Sequence, residues 1–375
     1  MIMIVVGTRP EIIKMASVVD ACRRLGVNYE IVSAAQHYDW EMSGQLMEEL
    51  SLGKPDRRLP VGSGTQAVQT SKAMIRLEKV ILEDNPDAVL VEGDTNTVLA
   101  GALASVKLHV PVCHVEAGLR SYDLRMPEEH NRRIVDHVSS LLFAPTSHAA
   151  RILRGERVWG RTFVTGNTVI DACLKFMKVA IVKSSILNQV KFDRFALATF
   201  HRAENVDDAS TLSTLVKVLT RCPVPVVFPV HPRTMHGLTS SGLLGKLKGS
   251  KNVQLLPPVG YFDLLNLMHK CTFVLTDSGG IQEEATAPNI RKFVFVLRRR
   301  TDRPESVQAG FASLVGAEDD ETILRAVKSF GNPKKVLEGK SPYGDGRAGL
   351  RIVRILKKAL SHNALKHDIW KAQPF

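Results

Sequence analysis

Six polar residues stand at or just beyond the ends of short apolar runs: Arg9 after MIMIVV, Asp94 after AVLVEG, Glu116 after VCHV, His201 after LATF, His231 after VFPV and Ser278 after FVLTD. Open α/β sheets bind ligands beyond the carboxyl ends of their strands, so these positions are candidates for chemistry. Asp94, Glu116 and Glu128 could move protons, because carboxylates gathered around a ligand's phosphates have raised pKa values. For Glu128 and Glu129 a plainer reading competes: Arg132 and Arg133 follow at helical ion-pair spacing. His201 sits beside Arg202 in TFHRAEN, a better context than a lone core histidine has. The segment TDSGGIQEE (276–284) reads as a strand end, a small-residue turn and a helix start. Free N–H groups at such a start attract anions, and Ser278, Gly279 and Gly280 would let a diphosphate approach the backbone. Glu283 or Glu284, one turn further, could accept hydrogen bonds from ribose hydroxyls. The plainer alternative is a tight turn whose acidic residues complement the helix dipole. In GTRPEIIK (7–14), Arg9 offers a fork and Lys14 a point charge for phosphate, unless both belong to a solvated helix start beside Glu11.

Other chemistries lack their signatures. Neither GxGxxG nor GxxxxGK[ST] occurs, so nicotinamide and P-loop nucleotide chemistry have no support. HExxH-type spacing and GxSxG are also absent, which argues against a metal site and a serine hydrolase. Read from the residues alone, this is a two-domain α/β enzyme for a nucleoside-diphosphate compound, most simply a sugar nucleotide. Glycosyl transfer and isomerisation both remain open at this point.

The elements that must position these groups follow from patterning. Strands are expected over 1–6, 29–35, 87–94 and 110–118 and in SLLFAP, with helices from Pro10 to Leu25, over 65–84 and 95–107, and from Pro127 and Thr146. The first helix should bury Ile12, Ile13, Ala16, Val19 and Cys22. The pattern restarts near Phe195, with a helix over 207–221 and strands in FALATF, PVPVVFPV, NVQLL, CTFVLT and RKFVFVL. Strands alternating with helices indicate parallel sheets. The expected division is a first domain over 1–170, a linker over 171–193, a second domain over 194–345, and a final helix with a basic tail over 346–375. On that helix Leu350, Val353, Leu356 and Leu360 form one stripe.

Composition narrows the class. The 375 residues correspond to two or three domains at about 150 residues each. With 44% hydrophobic and 23% charged residues, disorder, collagen and coiled coil are excluded. No run reaches the roughly 18 apolar residues of a membrane helix, and no basic segment precedes the apolar N-terminus as in a secretory signal. Five scattered cysteines without a CxxC pair fit a reducing cytoplasm. The net charge of +12 would attract polyanions, but residues 347–375 hold seven Lys or Arg against Asp368 alone, away from the motifs above. No zinc finger, RNP aromatic motif or KH-type loop supports nucleic-acid binding.

In order along the chain stand GTRPEIIKM, VEGDTNTVLAG, HVEAGLRS, MPEEHNR, GNTVID, TFHRAEN, PVHPRT, LTDSGGIQEEA, TDRPESVQAG and SPYGDGRAG. Over about residues 3–356 the chain resembles the non-hydrolysing UDP-N-acetylglucosamine 2-epimerases, particularly their archaeal-type members. The resemblance implies a GT-B-like fold: two Rossmann-type doubly wound domains whose parallel sheets face a central cleft, with the final helix crossing back to the first domain. It implies interconversion of UDP-GlcNAc and UDP-ManNAc through a 2-acetamidoglucal, with no cofactor and no metal, in polysaccharide biosynthesis. A cytoplasmic homodimer is implied, with UDP-GlcNAc, UDP-ManNAc and UDP as its partners and neither membrane nor specific nucleic acid among them. The family's catalytic residues fall on Asp94, Glu116, Glu128 and His201. Its substrate contacts fall on Arg9, Lys14, Arg132, Tyr261, Ser278, Gly279, Gly280, Glu284 and Arg303. Gln36, His37 and His231 match part of the site at which many bacterial relatives bind a second UDP-GlcNAc as activator. Lys72 stands where an arginine is usual and HPRT replaces HxNP, which counts against that control. Between Glu284 and Arg303 this chain has two extra residues and more positive charge. Alternatives are a 2-epimerase of a UDP-2,3-diacetamido uronic acid, a hydrolysing 2-epimerase and a GT-B glycosyltransferase.

Overall fold

The computed structural model describes residues 1–34, 39–330 and 338–361; the side chains of 39–43 lie outside it, as do Gln36 and His37. Contacts divide the chain into two units, Met1–Ala172 with Tyr343–Phe375, and Cys173–Pro342.

The first unit is built on a parallel sheet of seven strands: β1 Ile2–Val6, β2 Tyr29–Ser33, β3 Arg57–Arg58, β4 Ala88–Glu92, β5 Val112–Val115, β6 Leu141–Ala144 and β7 Arg161–Val164. Their order across the sheet is β3-β2-β1-β4-β5-β6-β7. β1, β4, β5 and β6 are buried along their whole length, as parallel strands covered by helices on both faces must be. β3 and β7 went unread in the sequence because they are edge strands with largely exposed side chains and no apolar run. The second unit carries β8 Ala196–Thr199, β9 Val226–Pro229, β10 Val253–Leu256, β11 Val274–Thr276, β12 Val294–Val296 and β13 Ala312–Leu314. This sheet is also parallel, in the order β10-β9-β8-β11-β12-β13. Both are doubly wound sheets, and each reverses its strand order once: between β1 and β4, and between β8 and β11.

Local chemistry explains the helix boundaries. Pro10 lies in the first turn of the helix Arg9–Leu25, where its missing N–H costs nothing, and Gly26 ends that helix at φ 61°. The five residues expected on its buried face are buried. Within 171–193, expected as a linker, the helix Thr168–Lys183 runs through the point where the two units divide.

The final helix, Ala348–Ser361, packs on Arg9–Leu25 within the first unit. Its buried stripe is Ile352, Val353, Leu356 and Ala359; Leu350 and Leu360, expected on that stripe, are half-buried. Two contacts set the docking. The carboxylate of Asp171 accepts the N–H groups of Ala348 (3.1 Å) and Gly349 (2.9 Å), satisfying donors a helix start leaves open. Burial pushes this carboxyl up to about 6 despite those bonds. Gly349 itself lies so close to Ser17 that a Cβ would come within 2.6 Å of its backbone carbonyl. Gly349→Ala should therefore lower stability by about 1–3 kcal/mol through overpacking, read as a lower denaturant midpoint, whereas Gly155→Ala, which meets open space, should not.

Candidate active site

In doubly wound sheets the ligand crevice opens where the strand order reverses. In the first unit that point is bounded by the loops after β1 and β4, which carry Arg9 and Asp94. In the second it is bounded by the loops after β8 and β11, which carry His201 and Ser278. The sequence-predicted residues thus divide into two groups.

The first group rests on buried carboxylates. Glu11, which the sequence left as a solvated neighbour of Arg9, is 2% exposed. It accepts hydrogen bonds from the Gly7 amide (2.6 Å) and the hydroxyls of Thr8 (2.9 Å) and Thr95 (2.8 Å), tying the β1 loop to the β4 loop. Burial raises its pKa against those bonds. Lys14, expected among the phosphate contacts, places its Nζ 2.9 Å from Glu92 and 2.6 Å from Glu116. Burial raises Glu92 well above the usual carboxylate range, against the pull of Lys14 and with the charges of Glu116 and Glu11 adding to the rise. Glu116 also accepts from the Asn167 amide (3.0 Å), which is how the GNTVID segment reaches the site. Its backbone is left-handed, φ 67°, a conformation costing about 1–3 kcal/mol outside glycine.

Asp94 follows Gly93 (φ 85°) and pairs with Arg132, while the Asn131 side chain donates to its backbone carbonyl (2.9 Å). The two neighbouring glutamates of the PEEHNR segment separate here. Glu129 is fully buried and bonds Ser121 (2.8 and 2.9 Å), Arg133 (3.1 Å) and Arg132 (3.4 Å). The ion-pair reading therefore holds for Glu129. Glu128 is half-buried and pairs with none of the described residues, so its carboxylate is available to a ligand. Arg9 is exposed and likewise has no ion-pair partner among the described residues. Beside this group an open hollow has a mostly apolar lining that includes Met74, Leu103 and Leu124, with Gln66, Asn96 and Asn131 among its polar side chains.

The second group is organised by Asp277, which is fully buried and which sequence reasoning passed over in favour of Ser278. It accepts from the amides of His201 (3.2 and 3.1 Å) and Arg202 (3.0 Å) and from the Asn205 side chain (3.0 Å), so the TFHRAEN loop is moored to the TDSGG turn. Ser278 caps the short helix Gly279–Glu284. Arg303 pairs with Glu283 and with Asp302 (2.9 Å), and a Cβ on Gly279 would lie 3.6 Å from its guanidinium carbon. Glu283 is thus held by Arg303, and Glu284, the carboxylate expected at a ribose, is buried beside it. Gly280 has open space around its Cα. Tyr261 has its hydroxyl 4.0 Å from the Cys173 thiol, and its pKa is pushed well up by burial, then by Cys173 and the charge of Glu284.

His201 is 43% exposed at the side chain, with Nδ1 3.7 Å from Asp277. Desolvation, joined by Arg202 and Arg233, lowers its pKa against the pull of Asp277, favouring the neutral ring. Its ring lies 5.1 Å from that of His231, which the resemblance assigned to an activator site. In the structure His231 caps the helix Pro232–Ser240 and accepts the Arg233 amide (3.2 Å). Sequence reasoning does not single out Glu92 and Asp277, and takes Glu11 and Glu129 only as charge partners near helix starts. A signal existed for Glu92 and Asp277, since each is an acid at the end of an otherwise apolar strand.

The fold is that of a two-domain, GT-B-like α/β protein, with buried carboxylates gathered on one unit and a small-residue turn opening a helix on the other. A family model described as UDP-N-acetylglucosamine 2-epimerase matches residues 20–357. The UDP-N-acetylglucosamine 2-epimerase of Methanocaldococcus jannaschii is 43% identical over 362 residues, covering 94% of this chain and 98% of that protein. The crystal structure of the M. jannaschii UDP-GlcNAc 2-epimerase in complex with UDP-GlcNAc and UDP superposes with a TM-score of 0.87 at 42% identity, covering 95% of this chain and 99% of that one. The UDP-2,3-diacetamido-2,3-dideoxy-D-glucuronate 2-epimerase of Pseudomonas aeruginosa is 39% identical, covering 95% of this chain and 99% of that protein. The chain belongs to the UDP-N-acetylglucosamine 2-epimerase family.

Removing the lysine from the buried carboxylates tests their arrangement. Lys14→Met should destabilise the protein by about 3–5 kcal/mol, because it leaves buried anions without a cation. Without Lys14 the folded carboxylates bind protons more tightly than the unfolded chain does. The deficit should therefore shrink as pH falls, as urea denaturation at pH 5 and pH 8 would measure.

Proposed function

We propose that this protein interconverts UDP-GlcNAc and UDP-ManNAc by inverting carbon 2 through elimination and re-addition of UDP. The observation that carries this reading is the M. jannaschii enzyme's complex with UDP-GlcNAc and UDP, matched along nearly the whole chain. It is supported by Asp94, Glu116 and the unpaired Glu128 on the first unit, and by the Ser278–Gly280 turn on the second.

No carbonyl adjoins carbon 2, so removing its hydrogen as a proton must be coupled to loss of a leaving group. A carboxylate takes the proton, the carbon–carbon double bond forms, and the C1–O bond breaks with its electrons leaving on UDP. The 2-acetamidoglucal so formed takes a proton on the opposite face of carbon 2 while UDP returns to carbon 1. Asp94, Glu116 and Glu128 serve the two proton transfers. Negative charge grows on the departing diphosphate, where Arg9, the Gly279 and Gly280 amides and His201 stabilise it. Approach of the diphosphate raises the affinity of the neutral His201 for a proton, which suits it to assist departure. Tyr261 and Glu284 contact the nucleoside, and Arg132 and Arg303 orient Asp94 and Glu283.

Purified protein incubated with UDP-GlcNAc in deuterated water should yield UDP-ManNAc carrying deuterium at carbon 2. Asp94→Asn and Glu128→Gln should each lower kcat by about 10²–10⁴-fold with UDP affinity retained. Product without deuterium would refute the mechanism. Release of free UDP and ManNAc would indicate the hydrolysing reaction instead. Resemblance to the P. aeruginosa protein supports a second reading, in which the UDP-2,3-diacetamido uronic acid is the better substrate; comparing kcat/KM for the two sugars decides between them.

The reading includes a homodimer in a reducing cytoplasm. Val68, Ile75 and Leu82 form an exposed apolar stripe along the helix Gln66–Asp84, which supports the dimer. All five cysteines are buried and free, which supports the compartment. Ile75→Glu should convert the dimer to monomer in sedimentation velocity; an unchanged dimer would remove this stripe from the interface.

A further inference from the structure

Behind the carboxylates of the first unit runs a chain of hydrogen-bonded polar and charged groups, of which His114, Asp136 and Arg120 are buried. His114, in β5 and two residues before Glu116, has zero exposure. Its Nε2 lies 2.8 Å from the carbonyl of Gly93, the residue before Asp94. Its Nδ1 lies 2.8 Å from Oδ1 of Asp136, which is also fully buried, in the helix Pro127–Val138. The other Asp136 oxygen accepts the amide of Gly118 (3.2 Å), two residues after Glu116, and Nη1 of Arg120 (2.7 Å). Arg120 continues to Glu156 with bonds of 2.9 and 2.5 Å. Burial opposes ionisation of Asp136, but the hydrogen bonds and charges of His114 and Arg120 outweigh it and hold its carboxyl below the usual range.

The geometry points to His114 and Asp136 as positioning residues: together they fasten the backbone of both loops that present the acids, one just before Asp94 and the other just after Glu116. This rests on the epimerase reading for its kinetic consequence, not for its structural one. Three observations carry it. The contacts fall on backbone groups of the two acid-bearing loops. Those loops contain left-handed residues, Gly93 at φ 85° and Glu116 at φ 67°, and the second persists in a non-glycine residue only where the surroundings hold it. Buried ionic chains of this kind contribute little net stability compared with apolar packing, so their value lies in fixing orientation.

The test uses the full-length protein with His114→Gln and Asp136→Asn as independent variants, so that one remains if the other fails to fold. Hydrogen exchange followed by mass spectrometry should show peptides covering 93–95 and 116–118 exchanging about tenfold faster than in the wild type, with the second unit unchanged. The kcat for UDP-GlcNAc should fall about 10–100-fold, as small misplacement of reacting groups does, while UDP affinity stays within about threefold. Unchanged exchange in both segments, or a folded variant with wild-type kcat, would overturn the inference. A wild-type protein inactive on UDP-GlcNAc would sink the functional reading alone, since the exchange measurement still decides whether the two loops are fastened.

Discussion

Placing several carboxylates in a low-dielectric interior with one ammonium among them is the constraint on which the first unit depends. Glu92 and Glu116 meet at Lys14, and Glu11 lies near enough to raise Glu92 further. Each group is tolerable only because the others are placed to receive it. Lys14 reaches them because the helix Arg9–Leu25 starts directly beyond β1. Glu92 and Glu116 reach Lys14 because β4 lies beside β1 and β5 beside β4. Strand order is therefore what turns residues more than a hundred positions apart into one electrostatic unit.

The second unit solves a different problem with the same topology. There the reversal point lies between β8 and β11, and a single acid, Asp277, gathers the amides of one loop at the base of the other. The Ser278 amide donates to the Thr276 hydroxyl (3.0 Å), and Gly279 and Gly280 open the helix Gly279–Glu284. Arg298 and Arg303 meet the carboxylates of Asp302 and Glu283, so the RRRTDRP segment closes on itself through ion pairs. One unit thus gathers buried carboxylates around a lysine, and the other moors one loop to another through a buried aspartate.

Much of this could be read from the residues. Polar residues after apolar runs located both switch points, because a parallel strand must be apolar throughout and its last polar neighbour faces the ligand edge. The edge strands β3 and β7 escaped, being short and exposed. On the final helix Val353 and Leu356 are buried as expected, while Ile352 and Ala359 rather than Leu350 and Leu360 complete the stripe, because periodicity finds an apolar face but not its partner. Lys14 was read as a phosphate contact because a lysine's neighbours in sequence say nothing about carboxylates on other strands.

Residue type and spacing alone determined the class of fold and, through the chain of motifs, the family. Those properties are local: an apolar run makes a strand and a small-residue turn exposes amides wherever it occurs. Only the tertiary structure decided that Glu129 rather than Glu128 is committed to arginines, that Glu92 meets Lys14 and Asp277 the His201 loop, and that His114 and Asp136 bridge two loops. Those assignments depend on which charges face one another across the sheet. Burial makes such pairings energetically decisive, and one-dimensional order does not encode them.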